Sequence, residues 1–145
     1  MATPTPEVAI WLALKARLDA LTLSPALQID YPNEHFTPPA GENYLSANIL
    51  RNDPSFATMG STGKTRHRGI FQIFLYAKKD QNFAVASEIA GDIAKHFEPP
   101  LDLTNNGYTV RVDRPPTVGS DISRAEDPKM RIPISIRYSA DANRS

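Results

Sequence analysis

The sequence has no cysteine, which excludes a disulfide framework, a thiolate metal site and a cysteine nucleophile. It has no surplus of charge either: 16 Lys and Arg balance 16 Asp and Glu. A general nucleic-acid binder shows a strong basic excess, so that class is disfavoured. Long apolar runs are missing as well. The apolar start Val8–Leu14 is interrupted by Lys15 and Arg17 and follows no basic lead, so neither a signal peptide nor a membrane span is expected. The chain therefore reads as made in the cytoplasm, with no membrane partner. Histidine is sparse, and His35, His67 and His96 stand apart with no carboxylate at ligand spacing, so no metal is expected. No nucleophile elbow of the Gly-x-Ser-x-Gly type occurs, and no oxyanion loop can be argued. No catalytic residue, no cofactor and no enzyme activity are expected.

Two motifs invite chemistry and fail on inspection. Gly60-Ser61-Thr62-Gly63-Lys64-Thr65 looks like a phosphate loop, but the glycine required five residues before Gly63 is Thr58. A strand pattern follows it, where phosphate binding needs a helix N-terminus. Glu88 and Asp92 stand four apart, as paired acids would. They fall on the polar face of an amphipathic helix, where surface charge is the simpler reading.

Proline is abundant. It makes up 13 of 145 residues, against a usual share near 5%, and divides the chain into short elements. The length suits one domain, residues 1–145, with flexible ends at 1–4 and 139–145. Thr5-Pro6-Glu7 opens a first helix, with a cap, a first-turn proline and an acid at the positive dipole end. Its apolar stripe is Ile10, Trp11, Leu14, Leu18 and Leu21. Strands are expected over 26–31 and 44–50, and then over 67–77, whose apolar residues on both faces predict cover on each side. Residues 51–65 have no apolar period and read as a long mobile loop. Asp80 caps a second helix with the stripe Phe83, Ala86, Ile89, Ala90, Ile93 and Phe97. Asn106-Gly107 predicts a hairpin between 101–103 and 108–113. Met130 to Tyr138 alternates as a half-buried strand, placed at an edge or a bulge by Pro133. The order α-β-β-β-α-β-β-β describes an α+β fold: a mostly antiparallel sheet with two helices packed on it.

Charge is uneven locally. Lys64, Arg66, His67 and Arg68, with Arg51 across the 51–65 stretch, form a basic cluster, read either as a solvated strand entry or as a docking loop for a partner. Val8 and Leu12 lie off the first helix's stripe and suggest a second contact face. Together with Pro133 and Arg137 on the last strand they are the candidate subunit-interface residues.

Several segments in order resemble the tail-terminator, or tail-completion, proteins of long-tailed bacteriophages, prophages and gene-transfer particles. These are the first helix followed by Tyr31-Pro32-Asn33-Glu34 and Phe36-Thr37-Pro38-Pro39-Ala40-Gly41, the strand Gly69–Ile73, the helix Ile89–Phe97, Arg114–Gly119 and Arg131–Tyr138. The resemblance covers about residues 5 to 138 and is weakest at Asn52–Thr65 and Asp121–Asp127. It implies a virion protein that closes into a ring, commonly a hexamer, on the finished tail tube. The ring stops tube polymerisation and offers a surface for head joining. The implied partners are further copies of the chain, the major tail tube protein and a head-completion or neck protein, with DNA only passing through the lumen. Another head–tail connector, neck or minor tail subunit is the alternative. A small cellular binding module gripping an acidic partner or a nucleic acid through the basic cluster is a more distant one.

Overall fold

A computed structural model describes residues 5–21, 27–32, 34, 36–37, 43–60, 63–79, 83–127 and 129–143. The expected cap Asp80, His35 and the ends 1–4 and 144–145 lie outside the described residues. Helix α1 (Pro6–Asp19) starts as its sequence suggests. Thr5 is extended, its hydroxyl accepts the Val8 N–H at 3.5 Å, and Pro6 fills the first turn, where no N–H is needed. Ala9, Ile10, Ala13, Leu14 and Leu18 are buried, while Val8 and Leu12 face outward. Strands β1 (Gln28–Asp30), β2 (Tyr44–Arg51), β3 (Ser55–Phe56) and β4 (Lys64–Lys78) follow, then α2 (Phe83–His96). The chain closes with β5 (Leu101–Asn105), β6 (Tyr108–Val112), β7 (Thr117–Val118) and β8 (Lys129–Asn143). The expected α+β order is present, with the two-residue strands β3 and β7 added.

One sheet runs β1-β2-β4-β8-β6-β5; β3 also pairs with β4, and β7 with β8. Among the described residues only the edge pair β1–β2 is parallel. Its spine is β4 against β8, paired continuously from Lys64↔Asn143 to Lys78↔Lys129. On one face of that ribbon Phe71, Ile73, Leu75 and Ala77 meet Ile136, Ile134, Ile132 and Met130, all buried. Both helices lie on this face. The Phe71 ring sits 6.0 Å from Trp11 of α1 and 5.9 Å from Phe97 just past α2, in edge or tilted contacts. Each such side chain contributes roughly 1.5–3 kcal/mol by leaving water.

The helices are also tied together at their C-terminal ends. Arg17 Nε and Nη2 donate to the His96 carbonyl at 3.1 and 2.7 Å, and the His96 Nε2 lies 2.6 Å from the Arg17 carbonyl. Each side chain thus meets a carbonyl in the last turn of the partner helix. The β5–β6 hairpin turns on Asn106 and Gly107, both at positive φ (49° and 85°), the pairing a type I′ turn demands. Neither helix is long and apolar enough to cross a membrane.

Several expectations are corrected. β8 is an interior strand, with β4 on one side and β6 and β7 on the other, so Pro133 marks no open edge. The Pro133 carbonyl accepts the Gly119 N–H at 2.8 Å, so its backbone polar side faces β7, just where that short ladder ends. The missing N–H therefore costs the β4 ladder nothing, and Phe74↔Pro133 is a non-hydrogen-bonded pair. A Cβ on Gly119 would come within 2.8 Å of the Pro133 ring, which explains the glycine there. The 51–65 stretch is a hairpin extension rather than a plain loop. Ser55 and Phe56 pair with Arg66 and Thr65, and the Ala57 N–H donates to the Lys64 carbonyl at 2.9 Å. Residues 139–143, expected as part of a loose end, complete β8 because Ala140 and Ala142 bury against the core. Phe83, expected within the α2 stripe, is 56% exposed because it stands at the helix's first turn, beyond the sheet contact.

Cover of the central strand also differs. The second face of β4, with Ile70, Gln72, Phe74 and Tyr76, is half-buried, although both helices lie on the first. Cations and rings shelter it instead. The Arg131 guanidinium lies 4.9 Å from the Phe74 ring, Tyr44 stacks on Tyr76 at 4.6 Å, and Lys129 Nζ sits 4.5 Å over Tyr44.

Candidate functional site

The helix-free face of the sheet hollows into a basin of about 680 Å³. Strand alternation builds it. Burial of Gly69 and Phe71 on β4 turns Lys64, Arg66 and Arg68 to the other side. On β6, buried Val110 and Val112 leave Arg111 between them facing the basin, and on β8 buried Ile136, Tyr138 and Ala140 leave Arg137, Ser139 and Asp141. The lining holds six cations, Lys64, Arg66, Arg68, Arg111, Arg114 and Arg137, against two acids, Asp113 and Asp141. The basin is thus net four positive in a chain whose total charge is zero.

Its charges are held differently. Arg66 and Asp141 are cross-strand partners and pair as a fork, with Nε–Oδ1 at 2.9 Å and Nη2–Oδ2 at 3.3 Å. The Arg66 hydrogen bond and charge hold the Asp141 carboxyl below its usual pKa, partial desolvation opposing them. Arg68 and Arg111 both register with Ser139, one on each neighbouring strand, so they flank it at about 4.8 Å per strand step. Arg137 follows two residues away on the same face. Arg111 has only a loose exposed pair, 3.9 Å from Asp102, worth little in water. Arg68, Arg114 and Arg137 form no ion pair among the described residues. Guanidinium groups in this state recognise carboxylate or phosphate oxygens. Among the described residues no three His, Asp or Glu side chains group closely enough to hold a metal.

The structure splits the basic cluster read from the sequence. Lys64, Arg66 and Arg68 enter the basin from a strand. His67 turns to the opposite face, across from buried Ala140, and Arg51 registers with Gly69 on that same side. Of the interface set, Arg137 lines the basin, Val8 and Leu12 stay exposed one turn apart on α1, and Pro133 lies half-buried inside the sheet. Arg111 and Arg114 were missed as partners of this cluster. The available signal was Arg111 between two valines, which places it on a solvent face. Sequence reading also passed over Phe56 and Met59. Both are strongly exposed, at 70% and 84%, where the β3–β4 hairpin leaves the sheet. Gly60 and Gly63 of the apparent phosphate loop belong to that hairpin, which runs straight into β4.

Comparison with known proteins follows the same outline. No curated protein matches the chain. A solved structure whose title states no function superposes with a TM-score of 0.76 at 26% identity, covering 94% of this chain and 96% of its own. The family model for the phage tail terminator protein matches residues 9–138, from α1 into the second half of β8. The chain belongs to the phage tail terminator family, structural proteins of the virion that complete the tail.

Proposed function

We propose that this protein assembles as a ring, of six copies by family resemblance, on the end of the finished tail tube. There it stops tube polymerisation and presents the surface to which a head-completion or neck protein joins. The match to the tail terminator family over residues 9–138 carries this reading. The fold supports it, because a ring needs two different patches on each subunit that close by rotation, and the exposed surfaces here are unlike one another. The β3–β4 hairpin, with Phe56 and Met59 exposed, supplies the tube-facing contact, since clustered exposed apolar side chains mark protein interaction sites. Balanced total charge suits an opening through which DNA passes without strong counterion-releasing contacts. The subunit acts by binding and capping, assembles in the host cytoplasm and carries no catalytic role.

The test is tube growth in solution. Tail tube protein is polymerised, this protein is added at a ratio of one ring per tube end, and lengths are measured by negative-stain imaging. Rings at tube ends and arrested lengths are expected. A Phe56→Ser/Met59→Ser variant should stay folded yet leave elongation unchecked. Tubes that keep growing beside the unaltered protein, with no ring at their ends, would refute the capping role.

A further inference from the structure

We propose that the basic basin of one copy receives the outer face of α2 from a second copy, and that this helix-on-sheet contact is the repeating joint of the ring. The proposal deepens the ring reading and rests on it. Its first support is charge conservation. A basin that is net four positive in a neutral chain leaves the remaining surface net four negative, so a second copy carries the complement in equal amount. Part of that complement is concentrated on α2. Glu88 and Asp92 are both exposed one helical turn apart, and neither forms an ion pair among the described residues. Like charges at this spacing destabilise a helix by about 0.2–0.5 kcal/mol. Lys95, three residues beyond Asp92, is exposed on the same side but forms no ion pair with either acid among the described residues, so that face keeps a net negative charge.

Gly91 is the second, independent observation. It lies in the middle of α2, where glycine costs about 0.5–1 kcal/mol relative to alanine. A Cβ built there meets nothing within 4 Å, so packing inside the subunit does not require the glycine. It is exposed like Glu88, one turn before it, and Asp92, the next residue, and leaves a bare stretch of backbone on the outer face. Such a spot lets another surface come close enough for short side chains to reach arginines lining a hollow.

Geometry is the third support. α2 packs on the sheet through Ala86, Ala90 and Ile93, while the basin opens on the sheet's other face. The two patches therefore point away from each other, so the contact joins copies head to tail and cannot be made twice within one two-fold dimer. Helix Glu88 and Asp92 would meet, around Ser139, Arg68 and Arg137, which form no ion pair among the described residues, and Arg111, which is only loosely paired with Asp102.

Because the chain has no cysteine, crosslinking reads this contact cleanly. Gly91→Cys and Ser139→Cys proteins, each checked for native circular dichroism, are mixed under mild oxidation. The 91–139 disulfide is expected to form at least tenfold faster than a control pairing Val8→Cys with Ser139→Cys. It should slow several-fold in 0.5 M salt, where the screening length shrinks to roughly 4 Å. A chain carrying both cysteines should give a ladder that ends at the ring number. Adding Arg68→Glu/Arg137→Glu to the Ser139→Cys protein should abolish the crosslink. Adding Glu88→Lys/Asp92→Lys to its Gly91→Cys partner should restore it. No preference over the control, or no recovery on the double reversal, overturns the proposal. Retention of the protein on DNA that Arg68→Glu/Arg137→Glu abolishes, without a 91–139 crosslink, also overturns it and gives the basin to nucleic acid. Rings on tube ends without the crosslink remove this joint and leave the capping function standing; the crosslink without tube arrest does the reverse.

Discussion

The two faces of the β4–β8 ribbon come from the same thirty residues and share one ladder of hydrogen bonds, yet they do opposite work. One face, centred on Phe71, Ile134 and Ile136, is dry and locked beneath two helices. The other carries Lys64, Arg66, Arg68 and Arg137 into an open hollow. Strict alternation lets a single pair of strands hold the fold and display a charged surface, with neither task constraining the residues of the other. The largest expected effect attacks the first face. Phe71→Ala removes a fully buried ring that bridges Trp11 and Phe97, and should cost about 3–5 kcal/mol in chemical denaturation. A loss below about 1 kcal/mol would show that the two helices do not share one core there.

The covered face was legible from sequence because burial imposes a period. Phe71, Ile73 and Leu75, or Ile132, Ile134 and Ile136, announce a strand without help from any other residue. The open face was only half legible. Lys64, Arg66 and Arg68 stand together in the chain and were seen, but alternation separates His67 from them, and register brings in Arg111 and Arg137 from distant strands. Sequence spacing carries no information on which strand lies next to which. Pro133 misled for a related reason. Its missing N–H forbids a hydrogen-bonded partner on one side only, and here that side is the end of β7, not the long ladder with β4. The 51–65 stretch hid its pairing because two residues, Ser55 and Phe56, are too few to show any period.

A middle-sized effect tests how the helix layer is fastened over the covered face. Arg17→Ala removes two hydrogen bonds to the His96 carbonyl and should cost about 1–2 kcal/mol, allowing for partial exposure. The same clamp predicts a pH dependence. Burial pushes the His96 imidazole below its usual pKa; its hydrogen bond to the Arg17 carbonyl opposes this, and the Arg17 charge adds to it. A depressed folded pKa means that the unfolded chain takes up the proton first as pH falls. The stabilisation is therefore complete above the unfolded value, near pH 6.5, and is lost as pH drops below it toward the folded value. Melting temperature should decline between about pH 6.5 and 5, before carboxylates such as Asp141 titrate. His96→Gln should flatten that decline. An unchanged slope would assign it to other groups and remove His96 from the account.

The smallest effect on stability is expected on the open face, and it sharpens the comparison most. Arg68 and Arg137 have no ion-pair partner among the described residues, and their neighbours in the basin are mainly cations. Replacing both by alanine removes repulsion along with little favourable contact, so unfolding free energy should move by no more than about 0.5 kcal/mol, in either direction. Arg66→Ala should do slightly more, because it strands Asp141 and surrenders the stability tied to that carboxylate's lowered pKa. That contribution is present above the ordinary carboxylate pKa and lost as pH falls through the folded value. Self-association by sedimentation should respond in the reverse order, with the Arg68/Arg137 variant impaired more than the Arg66 variant, whose guanidinium is already occupied. If unfolding and association shift in proportion across these variants, the open face is part of the folding core and the division between the two faces fails. If association alone collapses, a surface that contributes almost nothing to the monomer is where this chain recognises its neighbour.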